Sequence, residues 1–174
     1  MDQDLSPAAT AEDATRDRLK MAARRLFSLH GIDAVSVRAI VTAAGMRNGA
    51  SLHYYFGSKD ALVRELVVDA AKRSDRARRL RLDAMEAAGG PRAARDVVRL
   101  MVEVETVGTG DPDEVGGLPI GFGHMRFVVA MQVNHRALFL DAVGDRWASS
   151  YMRCIDHLRR LLARCGSETI LRVE

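Results

Sequence analysis

Cysteine is nearly missing from this chain, with only Cys154 and Cys165 among 174 residues. On a single helix the two would share a face but sit roughly 16 Å apart, too far for a bond within one chain. A disulfide-built scaffold is therefore excluded. Buried free thiols in a reducing cytoplasm are expected, with an intersubunit or redox use as the alternative. Long apolar runs are also missing, so no membrane-spanning segment is expected. The acidic start lacks the apolar stretch of an export signal, which again points to the cytoplasm. There is no glycine-rich phosphate loop, no His-Glu-x-x-His zinc motif and no Cys-x-x-Cys pair. His124, His135 and His157 are scattered, and Glu103 and Glu105 fall on different faces of a helix. No cofactor or metal site is expected, and an enzyme reading has almost nothing to stand on. Alternating strand patterns and internal repeats are absent too.

A 48% hydrophobic content provides for a real core. The net charge of +3 is modest but uneven: residues 14–82 hold fifteen Lys or Arg against six Asp or Glu, about +9, so the remainder is net acidic. A basic N-terminal half suggests a polyanion partner.

Helical periodicity runs through the chain. After a small, acidic tail (1–13), a first helix is predicted from about Thr15 to His30, with Leu19, Ala22, Ala23, Leu26 and Phe27 on one stripe. A second begins at the N-cap Ser36 and presents Val37, Ile40, Val41 and Ala44 inward; Gly45 permits the sharp turn after it. A short third helix spans about Asn48 to Tyr55, mostly polar. Ser58 caps a fourth, whose stretch from Arg73 to Arg81 reads as a solvated basic face, ended by Gly89, Gly90 and Pro91. A fifth reaches about Val107, and residues 108–123 read as a long flexible loop. A sixth covers about Phe122 to Asn134. A seventh, from about Asp145 to Cys165, carries Trp147, Tyr151, Cys154, Leu158 and Leu161 at coiled-coil-like spacing. Ser167 looks like the cap of one more, barely begun.

The segment Gly45–Leu62 holds the chemistry. A capped amphipathic helix, a glycine turn and a polar second helix make a helix-turn-helix, whose second helix presents its early residues to base edges in the major groove. Arg47 suits guanine, Asn48 suits adenine, and Ser51 can reach a base or a phosphate. Gly49 and Ala50 allow close backbone approach. His53, Tyr54, Tyr55 and Lys59 are phosphate-type contacts, and Ser36 and Arg38 on the second helix join the DNA-facing set. Tyr54, Tyr55 and Phe56 cannot all face DNA, so Phe56 is assigned to the core.

On these residues the stretch Arg18–Leu66 resembles the N-terminal domain of the TetR family of bacterial transcriptional regulators. The likeness rests on Phe27 to Gly31, the cap Ser36, an Ile in helix two, the Ala44–Gly45 turn and the Phe-Gly-Ser-Lys run from Phe56 to Lys59. It covers roughly the first third of the chain. The resemblance implies an all-α homodimeric repressor that binds a palindromic operator in double-stranded DNA and releases it when a small-molecule effector enters the C-terminal domain. Val41 stands where the family commonly has Ala, which implies slightly wider helix packing. The Gly45–Phe56 segment is one residue longer than usual, which leaves the register of the recognition helix open by one position. His53 then falls where many members carry Tyr. The chain ends near where the family's first dimerisation helix is expected, which implies a shortened C-terminus; a regulator that cannot dimerise by itself is the alternative. A helical small-molecule-binding module without DNA function is another.

The expected layout is therefore a tail (1–13), a three-helix DNA-binding domain (14–60) and a helical regulatory domain (61–174). Met101, Phe122, Met125, Phe127, Met131 and Trp147 are candidate walls of an effector pocket, although the same spacing serves an ordinary core.

Overall fold

The computed structural model describes residues 11–106, 120–144 and 149–163. All regular structure among the described residues is α-helical, in eight elements. The chain divides into two compact units, Met1–Leu66 and Val67–Glu174.

The first unit contains α1 (Ala11–His30), α2 (Val37–Ala43), α3 (Ala50–Phe56) and the start of α4 (Lys59–Ala87). Its core follows the apolar stripes: Leu19, Ala23 and Phe27 of α1, Ile40 and Val41 of α2, Leu52 and Phe56 of α3, and Leu62, Val63 and Leu66 of α4 are buried. Each fully buried Leu or Ile contributes about 1.5–3 kcal/mol of transfer free energy. Helix α1 already includes Ala11 to Asp13, residues that composition placed in the tail. Two caps lie where expected. Ser36 Oγ accepts from Ala39 N at 3.1 Å and Ser58 Oγ from Ala61 N at 3.0 Å, each satisfying a first-turn donor that has no partner within its helix.

The second unit holds the rest of α4 with α5 (Ala94–Thr106), α6 (Ile120–Asn134), α7 (Arg136–Val143) and α8 (Ser149–Ala163). Helix α5 packs on both α6 and α8. Leu82, Val97, Leu100, Val104 and Cys154 form a buried cluster, with Met85, Met101, Leu158 and Leu161 packed against it. Burial raises the Cys154 thiol, keeping it protonated and inert; Cys165 lies outside the described residues.

Three expectations change here. The basic run of α4 is not simply a solvated face: Arg78 is buried, and its Nη2 donates to Glu105 Oε1 at 2.8 Å. Its Nη1 reaches Ser150 Oγ at 3.3 Å. Residues 120–123 begin α6 rather than ending a loop, and residues 107–119 lie outside the described residues. Helix α7 was not anticipated. Its N-cap His135 makes no side-chain cap bond, and neither Gly nor Pro separates it from α6, so nothing local marks its start, although Gly144 closes its end.

Helix α8 is also tied to the end of α4 by charge. Arg153 Nη2 lies 2.7 Å from Asp83 Oδ1 and 2.6 Å from Glu86 Oε2. His157 Nε2 donates to Glu86 Oε1 at 2.7 Å. The His157 hydrogen bond, and then Arg153, hold the Glu86 carboxyl below its ordinary value. A carboxylate lowered on folding adds stability that is complete above the ordinary carboxylate range and lost as pH falls through the lowered value. Urea unfolding at pH 7 and at about pH 3, below the ordinary carboxylate range, is therefore expected to show a larger loss for the wild type than for Glu86→Gln. Equal losses would mean that the pair contributes nothing.

Candidate nucleic-acid interface

The turn between α2 and α3 is built by backbone chemistry that only a few residues permit. Gly45 N donates to Thr42 O and Met46 N to Val41 O, both at 3.0 Å, closing the end of α2 with a Schellman pair of bonds. Gly45 takes φ 75°, a left-handed conformation that side chains with a Cβ resist. The chain then re-enters helix at Ala50, two residues later than expected. Asn48 stands outside α3, one residue before its N-cap Gly49, and caps the first N–H of the helix with its side chain, Oδ1 accepting from Ala50 N at 2.9 Å.

Helix α3 has only seven residues. Leu52 and Phe56, one turn apart, anchor it in the core, while Ser51 and Tyr55 are half-buried on its flank. Ala50, His53 and Tyr54 of α3 are exposed, as are Arg47 and Asn48 at the entry to the helix, the α2 cap Ser36, and Arg38 on α2. The exposed members of the expected DNA-facing set therefore come from the start of α2, the turn and α3 alike. Among the described residues, the side chains of Arg38 and Arg47 have no hydrogen bond or ion pair.

Other members of the set are already engaged. The oxygen that Asn48 would offer to an adenine amino group is in use as a cap, so a two-bond adenine contact requires that cap to open or share. His53 Nδ1 lies 2.9 Å from Gly57 O. A carbonyl only accepts, so Nδ1 carries the proton, and Nε2 donates to a phosphate only from the doubly protonated ring. Tyr54, 75% exposed, donates its hydroxyl to Glu12 Oε1 at 3.2 Å. The Glu12 charge, followed by that hydrogen bond, raises the Tyr54 phenol above its ordinary value, so it stays a donor. Tyr55 meets Tyr54 edge-on, with centroids 5.0 Å apart.

Lys59 is placed differently from a phosphate clamp. Its Nζ donates to Ile32 O at 2.6 Å and lies 5.8 Å from the centre of the Phe27 ring. The ammonium thus ties the start of α4 to the connection between α1 and α2. Lys59→Met is expected to cost about 1–2 kcal/mol in thermal unfolding, the value of a partly screened hydrogen bond to a charged donor. It should leave the salt dependence of DNA binding unchanged. A salt slope reduced by about one, with full stability, would return Lys59 to the phosphate-contacting set.

Sequence reasoning missed Glu12, Arg16, Lys20 and Glu65. Arg16 and Glu65 form an ion pair although 49 residues separate them, and no local pattern marks such a pairing.

Of the candidate effector residues, Phe127 and Met131 are buried, and Met101 and Met125 are half-buried. Trp147 and the side chain of Phe122 lie outside the described residues. A cleft of about 560 Å³ between the end of α4 and the start of α5 is lined by Arg81, Met85, Arg92, Asp96, Arg99 and Leu100, among others, and by none of the six candidates. Among the described residues, no group of three His, Cys, Asp or Glu is placed to hold a metal ion, and no helix is long and apolar enough to cross a membrane.

Residues 21–66 match the family described as bacterial regulatory proteins, tetR family. No curated protein matches the chain. Among solved structures, a protein of Mesorhizobium loti MAFF303099 classed with the TetR-family transcriptional regulators superposes with a TM-score of 0.56 at 18% identity, over 87% of this chain and 71% of that one. The regulatory protein SCO4313 is similar at a TM-score of 0.48 and 19% identity, over 91% of this chain and 85% of that one. At such identity the first of these likenesses speaks for the fold alone, and it agrees with the all-helical architecture.

Proposed function

We propose that this chain, whose residues 21–66 match the tetR family of bacterial regulatory proteins, is a transcriptional repressor that binds a palindromic operator as a homodimer and leaves it when a small molecule occupies the second unit. The observation that carries this reading is the pair of exposed guanidiniums, Arg38 on α2 and Arg47 in the turn to α3, which have no partner among the described residues. In this reading Arg47 meets a base edge, Arg38 and Ser36 meet the backbone, and Ser51 and Tyr54 complete the phosphate contacts. Tyr54 must exchange Glu12 for a phosphate oxygen to do so. A homodimer doubles the half-site contacts, and the tethered second site accounts for most of the operator affinity.

The test is footprinting on the DNA flanking the gene, with mass measured by light scattering in the same buffer. A symmetric footprint from a dimer, weakened by about 10³-fold or more between 50 and 200 mM salt, supports the reading. A monomer that protects only a half-site would overturn the homodimeric part. Absence of any sequence-specific footprint would overturn the DNA-reading role.

A further inference from the structure

We propose that Arg16 is a positioning residue for the recognition helix, a role that rests on the DNA-reading assignment of α3 given above. Arg16 stands five residues ahead of the matched segment 21–66. Its guanidinium makes three separate contacts. Nη1 donates to Tyr55 O at 2.9 Å. Nη2 pairs with Glu65 Oε1. The guanidinium carbon lies 4.6 Å from the centre of the Phe56 ring. The other oxygen of Glu65 is held by Lys20 Nζ at 3.1 Å. One planar group therefore joins α1, the last turn of α3 and the second turn of α4.

Helix α3 needs such a tie. Seven residues are too few for a helix to hold itself in water. Its two buried anchors, Leu52 and Phe56, lie one above the other. Two anchors on a single line locate the helix but leave its roll about that line weakly defined. A roll carries the outward residues, including the entry at Arg47, around the axis. Tyr55 O is one of the last carbonyls of α3 and has no partner within the helix. Arg16 satisfies it from one side, and so sets the roll. The fork of the guanidinium reaches carbonyl and carboxylate from two separate nitrogens held in one plane, whereas the ammonium of a lysine must serve both from a single point.

The test uses the full chain and two readouts. In the free protein, amide hydrogen exchange of Arg16→Met is expected to speed up about tenfold or more at residues 53–57, the loss of one charge-assisted hydrogen bond, while amides in α1 and α2 stay as protected as in the wild type. On DNA, the ratio of operator to random-sequence affinity is expected to fall about tenfold, because base contacts depend on helix placement and phosphate attraction does not. Arg16→Lys keeps the charge facing Glu65 and guards against a variant that fails to fold; it should restore part of the protection at 53–57 and part of the ratio. Unchanged exchange at 53–57, or a uniform loss of protection across α1 to α3, would overturn the positioning role. So would faster exchange at 53–57 with an unchanged affinity ratio. If the wild type binds no DNA specifically, the assignment of α3 as a reader fails on its own, and the exchange data still decide whether Arg16 sets the placement of the helix.

Discussion

Arg47→Ala is expected to lower operator affinity about tenfold to a hundredfold, the equivalent of about 1–3 kcal/mol for one well-made base contact. The reason is its situation. Arg47 is exposed, sits between the Gly45 turn and the Asn48 cap, and has no side-chain hydrogen bond or ion pair among the described residues. Nothing among the described residues competes for its guanidinium, so its removal costs the fold little. The same substitution at an engaged residue such as Lys59 would mix a loss of stability with a loss of contact. Thermal unfolding of Arg47→Ala should therefore stay within about 0.5 kcal/mol of the wild type, as surface substitutions usually do. Binding to a panel of single-base operator variants separates the possible roles. If Arg47 reads a base, the variant loses discrimination at one position in each half-site and keeps it elsewhere. A uniform loss across the panel, with a shallower salt dependence, would make Arg47 a phosphate contact instead.

The second large effect lies in the other unit. Asp75 is buried on α4, and its Oδ1 accepts from Ser150 N at 3.1 Å and from Ser149 Oγ at 3.4 Å. Its Oδ2 takes Arg79 Nη2 at 2.5 Å. The carboxylate thus caps the start of α8 from a different helix, supplying the acceptor that an N-cap side chain normally provides. Burial pushes the Asp75 carboxyl up, but the hydrogen bonds from Ser150 and the ion pair with Arg79 outweigh it and hold the group below its ordinary value. The stability tied to this group is therefore complete above the ordinary carboxylate range and lost as pH falls through the lowered value. Asp75→Ala is expected to destabilise the protein by about 3–5 kcal/mol, since it leaves a buried donor without an acceptor and removes the anion from a buried cluster. Asp75→Asn keeps one acceptor oxygen and should cost roughly half as much, the charge alone being lost. Denaturant unfolding of the two variants at pH 7 measures both values. A loss below about 1 kcal/mol for Asp75→Ala would mean that α8 is held by its apolar face alone.

What could be read in the chain beforehand follows the range of the forces involved. The stripe Leu19–Phe27, the caps at Ser36 and Ser58 and the glycine turn at Gly45 act over three or four residues, and each lies where the sequence puts it. The pattern also led to the family that residues 21–66 match. Helix α7 escaped because no side-chain cap or breaker separates its start from α6; only Gly144, at its end, marks it. Local rules misplaced Arg78 for a related reason: the arginines of α4 look alike in sequence, and nothing nearby in the chain marks that Arg78 meets Glu105 and Ser150.

The sequence by itself determined an all-helical chain, its helix-turn-helix and the types of side chain available to face DNA, because helical period, capping and turn formation are local. Tertiary structure alone decided which of those side chains are free to do so. Lys59 meets Ile32 O across 27 residues and Arg16 meets Tyr55 O across 39. Asp75 meets Ser150 N across 75. Such pairs exist only once packing has brought distant segments within hydrogen-bond distance. Of the cations in the DNA-facing set, Arg38 and Arg47 found no partner there among the described residues.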